Sequence, residues 1–435
     1  MTQVPIVCAP HPPDWPVYDR EAIRAASRLI AEGRTFDYAR GDEIARIEDS
    51  FAGYHGGGHA LFLNSGTSAI LSALLALDIG PGDEVLCPAT TFVSGITPVL
   101  LAGAAPVFVD GDPQTDTMDP EAARASIGPR TRAILVTHLW GHPADMPRLM
   151  NLADRHGLAV IEDCSHAHGA RLGGRLVGTF GDAAAFSLGT GKMISGGTAG
   201  MLLTRDRHLY ERACLLGHPR QRSRISVCDP DLAAYANTGL GGNLRGSPVA
   251  AVLAQSHLDR LDKLIARKRA NLQRLSAGLS GLTGIEPPWT APEADRGGWY
   301  GFHARFNPIA LPGATREGLI CFMKSAGARV APATRLPLHR EALFRDFRAG
   351  CLPDGLLPMR RGVAPPDHVP YCPVSDSIFD RTICFPAGVF HEACPELVDE
   401  YIAAAQAAVE TFSQRAPGMT QSLRARFSRK HVKTE

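Results

Sequence analysis

The sequence predicts an α/β fold: a large domain with a doubly wound, mostly parallel sheet, followed by a smaller C-terminal α+β domain. The first observation is that short apolar runs alternate with helical stretches from about residue 60 onward. Strands that alternate with helices of this length imply parallel crossovers. The second observation is that this alternation becomes a mixed pattern after Pro287-Pro288. A length of 435 residues is enough for two or three domains.

An arm and two helices are predicted ahead of the sheet, in a leading segment at 1–58. The first 20 residues contain five prolines, which remove backbone donors and favour irregular structure. A helix over 19–32 is predicted to use Ile23, Leu29 and Ile30 as its apolar positions, and a second amphipathic helix is predicted over 43–54.

The segment 59–265 is predicted to form the large domain. Its expected strands are 60–63, 84–87, 106–109, 133–137, 159–162 and 183–187. Its expected helices are 68–77, 93–102, 120–126 and 146–156. A further strand at 201–204 follows its predecessor closely and can run antiparallel to it. Residues 218–242 are expected to be loop, and a long helix is expected over 250–275.

The smaller domain is predicted over 266–413. It is expected to contain strands at 300–306 and 381–385 and helices at 316–325 and 396–411. The tail at 414–435 has six Lys or Arg and one acid, and is predicted to be a disordered, solvated end.

Composition excludes several classes of protein. Lys plus Arg total 45 and Asp plus Glu total 44, a balance that argues against general attraction to nucleic acid or a membrane surface. A hydrophobic content of 45% excludes a disordered chain. No apolar run reaches the ~20 residues that span a bilayer, and the N-terminus does not read as a signal peptide. Ten scattered cysteines without a CxxC pair predict reduced thiols in a cytoplasmic protein and no metal site.

Small and hydroxylated residues follow the first predicted strand of the sheet, at Asn64-Ser65-Gly66-Thr67-Ser68. A helix start offers free backbone N–H groups and a favourable dipole to an anion, and the hydroxyls of Thr67 and Ser68 add donors for a phosphate. An ordinary helix cap explains the same residues at least as well.

Two acids, Glu162 and Asp163, end another predicted strand. Ligands of open α/β sheets bind at the carboxyl ends of strands, where an acid can pair with a protonated cofactor nitrogen. Taken alone, Asp163 is more simply interpreted as a helix cap or a surface acid.

One lysine, Lys192, lies in a glycine-rich loop after the strand 183–187. Partial burial lowers the basicity of a lysine, which can then form a Schiff base, although most lysines are simply exposed. A phosphate cradle, an acid at a strand end and a later lysine are together the parts that a pyridoxal 5'-phosphate site needs.

These motifs resemble those of the DegT-type sugar aminotransferases, which are pyridoxal-phosphate enzymes of fold type I. The similarity runs from about Gly33 to Ala407. It is carried by NSGTSAILSALLALDIGPGDEVLCPATTFVSG, VFVDGDPQTDTMDPEAARASIGPRTRAI, HLWGHPADM, HGLAVIEDCSHAHGA, GDAAAFSLGTGK and GLGGNLRGSPVAAVLAQSHLDRLD.

The resemblance implies roles for individual residues. Lys192 would form the Schiff base and shuttle the proton. Asp163 would keep the pyridine nitrogen protonated, and Phe92 and His166 would lie beside the ring. The phosphate would be held by Gly66, Thr67, Ser68 and Ser187.

The resemblance also implies a homodimer with shared active sites. Asn243, with Arg245 near it, would reach the phosphate of the neighbouring subunit. Two further substrate candidates have alternatives of equal or greater weight: His138 is explained as well by a core position, and Arg335 by a surface one.

The sequence departs from the family at Met193, where Asn is common, and at Thr198-Ala199-Gly200, where Glu-Gly-Gly is common. Lys192 is retained, whereas a dehydratase subgroup has His there, so transamination from glutamate or glutamine to a keto-sugar, preferably nucleotide-linked, is expected. The alternatives are a keto-cyclitol acceptor, another reaction of the same cofactor (elimination, aldol cleavage or cyclisation) and a non-catalytic sensor.

Overall fold

The computed structural model describes residues 6–333, 336–349 and 370–415. Within them, the strands are β1 (His59–Leu63), β2 (Glu84–Pro88), β3 (Ala105–Val109), β4 (Thr131–Thr137), β5 (Ala159–Asp163), β6 (Arg171–Leu172), β7 (Arg175–Leu176), β8 (Ala183–Ser187), β9 (Gly200–Thr204), β10 (Ile285–Glu286), β11 (Ala294–Asp295), β12 (Phe302–Phe306), β13 (Ala331–Pro332) and β14 (Thr382–Phe385). The helices are α1 (Arg20–Ala31), α2 (Asp42–Tyr54), α3 (Gly66–Ala76), α4 (Val93–Leu101), α5 (Pro120–Ala125), α6 (Met146–His156), α7 (Arg207–Gly217), α8 (Gln221–Ser226), α9 (Pro230–Ala233), α10 (Pro248–Leu258), α11 (Leu261–Leu279), α12 (Arg316–Ser325), α13 (Ala342–Arg348), α14 (Pro373–Arg381) and α15 (Pro395–Arg415).

A seven-stranded sheet in the order β1-β9-β8-β5-β4-β2-β3 forms the centre of the large domain. The strands from β8 to β3 pair in parallel, and β9 runs antiparallel to both β8 and β1. β2 and β3 are buried along their whole length, as expected for a sheet covered by helices on both faces. The predicted α/β class is confirmed, and the strand predicted at 201–204 is antiparallel.

Capping residues set the ends of α6 where the sequence placed them. The Asp145 side chain accepts a hydrogen bond from the backbone N–H of Arg148, and Gly157 ends the helix with φ of 61°. That left-handed conformation favours glycine, because a Cβ makes it costly.

The second domain is built on a four-stranded antiparallel sheet in the order β10-β12-β14-β13. Its buried core includes Phe302, Phe385, Phe390 and Tyr401. A separate three-stranded sheet has the order β11-β6-β7. In it, β11, which lies between β10 and β12 in the chain, pairs with β6 of the large domain.

Helix α11 contributes to both cores. Leu261, Leu264 and Ile265 belong to the apolar cluster beneath the large sheet, whereas Leu272 and Leu275 belong to the core of the second domain. The boundary proposed between 265 and 266 falls at this change of partner, inside a continuous helix.

The apolar face predicted for α1 is wrong in two of its three positions. Leu29 is buried, but Ile23 and Ile30 are 52% and 60% exposed. The helix instead buries Ala22 and Ala26, because it packs closely on α10, and small side chains permit that approach.

Two predicted connections are also corrected. Residues 218–242 contain α8 and α9, and Asp229 caps α9 by accepting from backbone N–H groups. The helix predicted over 250–275 is two helices, since Arg260 leaves helical geometry at φ −114° and ψ 6°.

None of the helices in the described ranges combines the length and the apolar character that a membrane crossing requires. Of the predicted tail, residues 414 and 415 continue α15, and the rest lies outside the described residues.

Candidate functional site

A cavity of about 520 Å³ lies where β1, β5 and β8 end, and residues of the second domain form its opposite wall. It is lined by seven of the residues that the sequence singled out. These are Gly66, Thr67, Phe92, Asp163, His166, Ser187 and Lys192.

The start of α3 forms an anion cradle in this cavity. The Ser65 hydroxyl accepts a hydrogen bond of 3.1 Å from the backbone N–H of Ser68. A Cβ on Gly66 would lie 2.9 Å from Cα of Ser187, so only glycine allows this approach to β8. The first N–H groups of the helix have no intrahelical partner, and they face the hydroxyl-bearing end of β8.

Ser68 supports the cradle rather than lining it. Its hydroxyl donates to Asn64 Oδ1 at 2.6 Å, and Ser68 is absent from the cavity wall. In this structure the Ser68 hydroxyl helps to shape the helix start, and its contact with a phosphate stays a prediction.

Asp163 ends β5 beside the cavity and is almost fully buried. Its Oδ1 accepts from the backbone N–H of Ser165 at 3.0 Å. A Cβ on Gly95 would lie 3.2 Å from Oδ2, so the glycine leaves space for the carboxylate. Phe92, just before α4, is 44% exposed and lines the same cavity.

Aromatic rings are stacked next to the lysine. Lys192 Nζ lies 3.9 Å from the ring centroid of Tyr300. Tyr300 stacks on His166 at 3.9 Å, and His166 lies 5.4 Å from Trp140. The sequence analysis placed Tyr300 at the start of a strand but identified neither Tyr300 nor Trp140 as a site residue. The feature that could have indicated them is an aromatic residue at a junction between a strand and a loop.

The N-terminal arm fastens the loop that carries Lys192. The indole N–H of Trp15 donates to the Lys192 carbonyl oxygen at 2.9 Å, and the Tyr18 hydroxyl lies 3.2 Å from Ser195 Oγ. From the other side, His257 Nδ1 accepts from the Ser195 N–H at 3.1 Å. These contacts of a proline-rich arm could not be predicted from local pattern.

A neutral histidine lies behind the lysine. Burial, and then the positive charge of Lys192, lower the pKa of His168 to about 3. Its Nδ1 accepts from the backbone N–H of Ile194 at 3.1 Å, which agrees with an uncharged ring. His168 therefore adds no positive charge behind Lys192 at neutral pH.

The wall from the second domain combines apolar and polar side chains. Its apolar members are Ala333, Leu336, Pro337, Ile378 and Phe379. His303 adds a polar ring whose pKa burial lowers to about 3, so it too is neutral, and it lies 3.7 Å from Trp140 between centroids.

The model of the DegT/DnrJ/EryC1/StrS aminotransferase family matches residues 18–354. The chain belongs to this family. Among curated relatives of the aminotransferase, a dTDP-3-amino-3,4,6-trideoxy-alpha-D-glucose transaminase of Streptomyces venezuelae is 35% identical over 79% of this chain and 85% of its own length. An L-glutamine:2-deoxy-scyllo-inosose aminotransferase of Streptomyces kanamyceticus is 35% identical over 81% of this chain and 85% of its own.

Solved structures agree with this assignment. A 3-amino-5-hydroxybenzoic acid synthase superimposes with a TM-score of 0.77 at 29% identity, over 93% of this chain and all of that one. The S. venezuelae protein DesV, solved with a ketimine intermediate, gives a TM-score of 0.73 at 30% identity, over 92% and 99% of the two chains.

The aminotransferase depends on pyridoxal 5'-phosphate, and the cavity fits that group. The glycine-lined cradle at Gly66 suits the phosphate, and the Asp163 carboxylate suits a protonated ring nitrogen. Lys192 presents an amine that can form the Schiff base. When bound, the cofactor supplies an electron sink for a carbanion at the carbon bearing the amino group.

His138, offered as a substrate contact, lies in the core of the aminotransferase. It is fully buried, its Nε2 is 3.0 Å from Glu162 Oε2, and its Nδ1 accepts from the Ala144 N–H at 3.0 Å. Both ring nitrogens are thus used within the protein. Burial raises the pKa of Glu162, but bonds from His138 and from backbone N–H groups outweigh it and hold that pKa below its usual value.

Asn243 and Arg245 are not among the residues that line this cavity. Asn243 is exposed, and the guanidinium of Arg245 lies 5.2 Å from the ring centroid of Phe36. Arg335 falls outside the described residues.

The departure at Met193 is a packing change behind the aminotransferase site. Met193 is buried, its Sδ lies 3.7 Å from Lys268 Nζ, and it is absent from the cavity wall. Thr198 is exposed.

Proposed function

We propose that this enzyme transfers an amino group from glutamine or glutamate to the ketone of a cyclic polyol, preferably a nucleotide-linked keto-sugar, in amino-sugar or antibiotic biosynthesis. The observation that carries the proposal is the meeting of Lys192, Asp163 and the Gly66 cradle in one cavity. The two relatives suggest the acceptor class, since one is a transaminase named for a dTDP-linked sugar and the other transfers from L-glutamine to a keto-cyclitol.

Lys192 is the group that moves the proton. The amine lies 3.9 Å from the Tyr300 ring centroid and lines the same cavity as Asp163, so it can reach the carbons of a molecule bound there. Trp15 holds the Lys192 carbonyl and limits backbone motion, so the same amine can take a proton from one carbon and return it to another.

The second-domain wall orients the acceptor. Ile378 and Phe379 exclude water from the apolar side, and the rings of His303 and Trp140 present the remaining edge. A cyclic polyol with apolar C–H faces and polar edges suits such a wall.

The working unit is proposed to be a homodimer. Large apolar side chains are exposed next to Asn243 and Arg245, where a second copy would cover them. They are Phe36, Tyr38, Tyr235 and Leu240. The rings of Phe36 and Tyr38 lie 4.5 Å apart, so these two side chains form one patch.

Transfer of isotope tests the reaction. Amide-labelled and amino-labelled [15N]glutamine are each incubated with the loaded enzyme and a panel of keto-sugars and keto-cyclitols, and the products are analysed by mass spectrometry. Label from the α-amino position is expected in the aminated acceptor. Absence of label from every acceptor contradicts transamination.

The lysine is tested by spectroscopy and trapping. Lys192→Ala is expected to remove the band near ~420 nm that is typical of a cofactor Schiff base, whereas Lys263→Ala, an exposed lysine on α11, retains it. Borohydride reduction is expected to fix the cofactor on the peptide containing Lys192; fixation on Lys268 or another lysine contradicts the assignment.

A second candidate is another reaction of the same cofactor. It is favoured by the similarity to the 3-amino-5-hydroxybenzoic acid synthase and by the apolar wall at Ile378 and Phe379. A product that forms only with the cofactor but carries no label from either nitrogen of the donor would identify elimination, aldol cleavage or cyclisation.

A further inference from the structure

We propose that the aminotransferase has a second ligand site, which binds a small carboxylate or phosphate attached to a flat or cyclic body. The site is a surface cavity of about 690 Å³ between α11 and the segment 287–299. Its central residue is Arg296.

Arg296 is a buried charge without an acidic hydrogen-bond partner. It is only 4% exposed. Its Nε donates to Thr290 Oγ1 at 2.7 Å and its Nη2 donates to the Trp289 carbonyl oxygen at 2.5 Å. Both partners are neutral, and Nη1 makes no hydrogen bond within the described ranges.

Burial of the Arg296 guanidinium in this arrangement is unfavourable in free energy unless an anion binds to it. Burial lowers the pKa of Arg296 to about 10, so the side chain remains charged at neutral pH. The nearby Asp116 carboxylate attracts Arg296 and partly offsets the effect of burial on its pKa, but its hydrogen bond goes to Arg305. A buried cation with only neutral hydrogen-bond partners is unfavourable, and a carboxylate or phosphate supplies the acceptors that a guanidinium fork prefers.

The guanidinium faces this cavity. Thr290 and Trp289, which accept its hydrogen bonds, both line the cavity, and so does Trp299, whose ring centroid is 4.9 Å from Cζ of Arg296. The backbone of Arg296 faces the other way: its carbonyl oxygen lies 2.8 Å from the position of a Cβ on Gly141.

Other residues that line this cavity also favour an anion attached to a ring. Arg269 shares the wall; one of its terminal nitrogens pairs with Asp295 at 2.7 Å, but its Nε is buried and unpaired among the described residues. Two arginines against one acid leave the cavity with a positive balance. Trp289, 45% exposed, offers an indole on which a planar or cyclic body can lie.

The second cavity is distinct from the catalytic one. The turn at 138–142 separates them: Trp140 lines the catalytic cavity, whereas the ring of His142 lies 6.2 Å from that of Trp289. No residue lines both cavities.

Anion binding to the full-length, cofactor-loaded enzyme tests the site. Benzoate and inorganic phosphate are titrated separately at constant ionic strength, with isothermal calorimetry and tryptophan fluorescence as readouts, because the loaded cofactor already occupies the catalytic phosphate cradle. Saturable binding of at least one probe is expected, and the stronger of the two tells whether the ligand group is a carboxylate or a phosphate.

Variants locate the binding. Arg296→Gln is expected to weaken the stronger probe at least tenfold, and Trp289→Ala to weaken benzoate severalfold and remove most of the fluorescence change. Arg267→Gln, which removes an equal charge from an exposed residue of α11 that pairs with Glu392, is the matched control and should bind normally.

The outcomes are decisive in either direction. Absence of saturable binding by both probes overturns the proposal, and so does an equal loss of affinity in Arg267→Gln. If Arg296→Gln does not fold, Trp289→Ala decides, since unchanged benzoate binding in that surface variant would contradict the site. None of these results depends on the identity of the amino acceptor.

Discussion

The indole N–H of Trp15 donates a 2.9 Å hydrogen bond to the backbone carbonyl of Lys192. This bond joins an arm that precedes the first helix to the residue proposed to form the Schiff base. The Trp15 ring also stacks on His257 at 4.7 Å, and His257 in turn holds Ser195. Retention of the cofactor should therefore depend on a residue far away in the chain.

Trp15→Phe removes this hydrogen bond and keeps a smaller aromatic ring that can still stack on His257. A hydrogen bond of this kind contributes about 1 kcal/mol, so we expect the cofactor to dissociate about fivefold faster in a chase with excess unlabelled cofactor. Tyr371→Phe, at a highly exposed aromatic, is the control. Equal dissociation rates for Trp15→Phe and the parent would show that the arm does not hold the loop.

Substitutions of the neighbouring acids Glu162 and Asp163 should have different effects: loss of stability at Glu162 and loss of activity at Asp163. Glu162 is buried and accepts from His138 and from the N–H groups of Gly178, Phe180 and Gly181. Glu162→Gln replaces an acceptor oxygen by a donor, and we expect a loss of about 3–5 kcal/mol in the free energy of unfolding. Urea denaturation measures it.

Asp163→Asn is the counterpart on the cavity side. It preserves shape and hydrogen bonding to Ser165, so we expect stability to change by less than about 1 kcal/mol. It cannot hold a proton on the cofactor nitrogen, so kcat should fall at least about 100-fold. A normal kcat in Asp163→Asn would contradict the role of Asp163 in activity, and a normal stability in Glu162→Gln would contradict the structural role of Glu162.

Lys268 should make stability depend on pH. Burial lowers its pKa from 10.5 to about 7, and its polar contact is the thioether of Met193. Between pH 7 and pH 10.5 the unfolded chain binds a proton that the folded chain does not, so stability from this group rises with pH across that window. Below pH 7 both states are protonated, and the penalty of burying the charge is fully present.

Lys268→Met removes that penalty with little change in volume. We expect it to stabilise the protein by about 1–3 kcal/mol at pH 6 and by much less at pH 10, measured by urea denaturation at both values. Lys263→Met, on the exposed face of the same helix, should show no such difference. An equal effect of Lys268→Met at both pH values would mean that the folded-state pKa is not lowered.

The proposed shared site makes complementation possible. Lys192→Ala lacks the reacting amine, and Asn243→Ala lacks a side chain proposed to act on the neighbouring subunit, so each variant alone should be nearly inactive. If the two variants are unfolded and refolded together, mixed dimers contain one intact site, and part of the activity should return. Activity of Asn243→Ala alone at the parental level would contradict a contribution across the interface.

The order of strands and helices in the large domain was predictable because its signal is local. β8 and α6 have the predicted bounds, since apolar runs and caps decide them. The division of α10 from α11 was missed because apolar residues continue through the break near Arg260, where only the backbone changes direction. The exposure of Ile23 was missed because it depends on which face α10 offers to α1.

The candidate site was predictable where a residue follows a strand of the parallel sheet. Gly66, Asp163 and Lys192 converge because β1, β5 and β8 end at one edge. Tyr300 and Trp140 required knowledge of how the second domain and the 138–142 turn meet that edge. His138 shows the reverse error: a polar residue at a strand end whose hydrogen bonds are all made inside the protein.

Helix α11, rooted in both cores, is an uninterrupted rod of 19 residues, or about 28 Å at 1.5 Å per residue. Its first turns pack in the core of the large domain and its later turns in the core of the second domain. A substitution at Ile265, which is absent from the catalytic cavity wall, is therefore expected to disturb how the second domain is held against the large one.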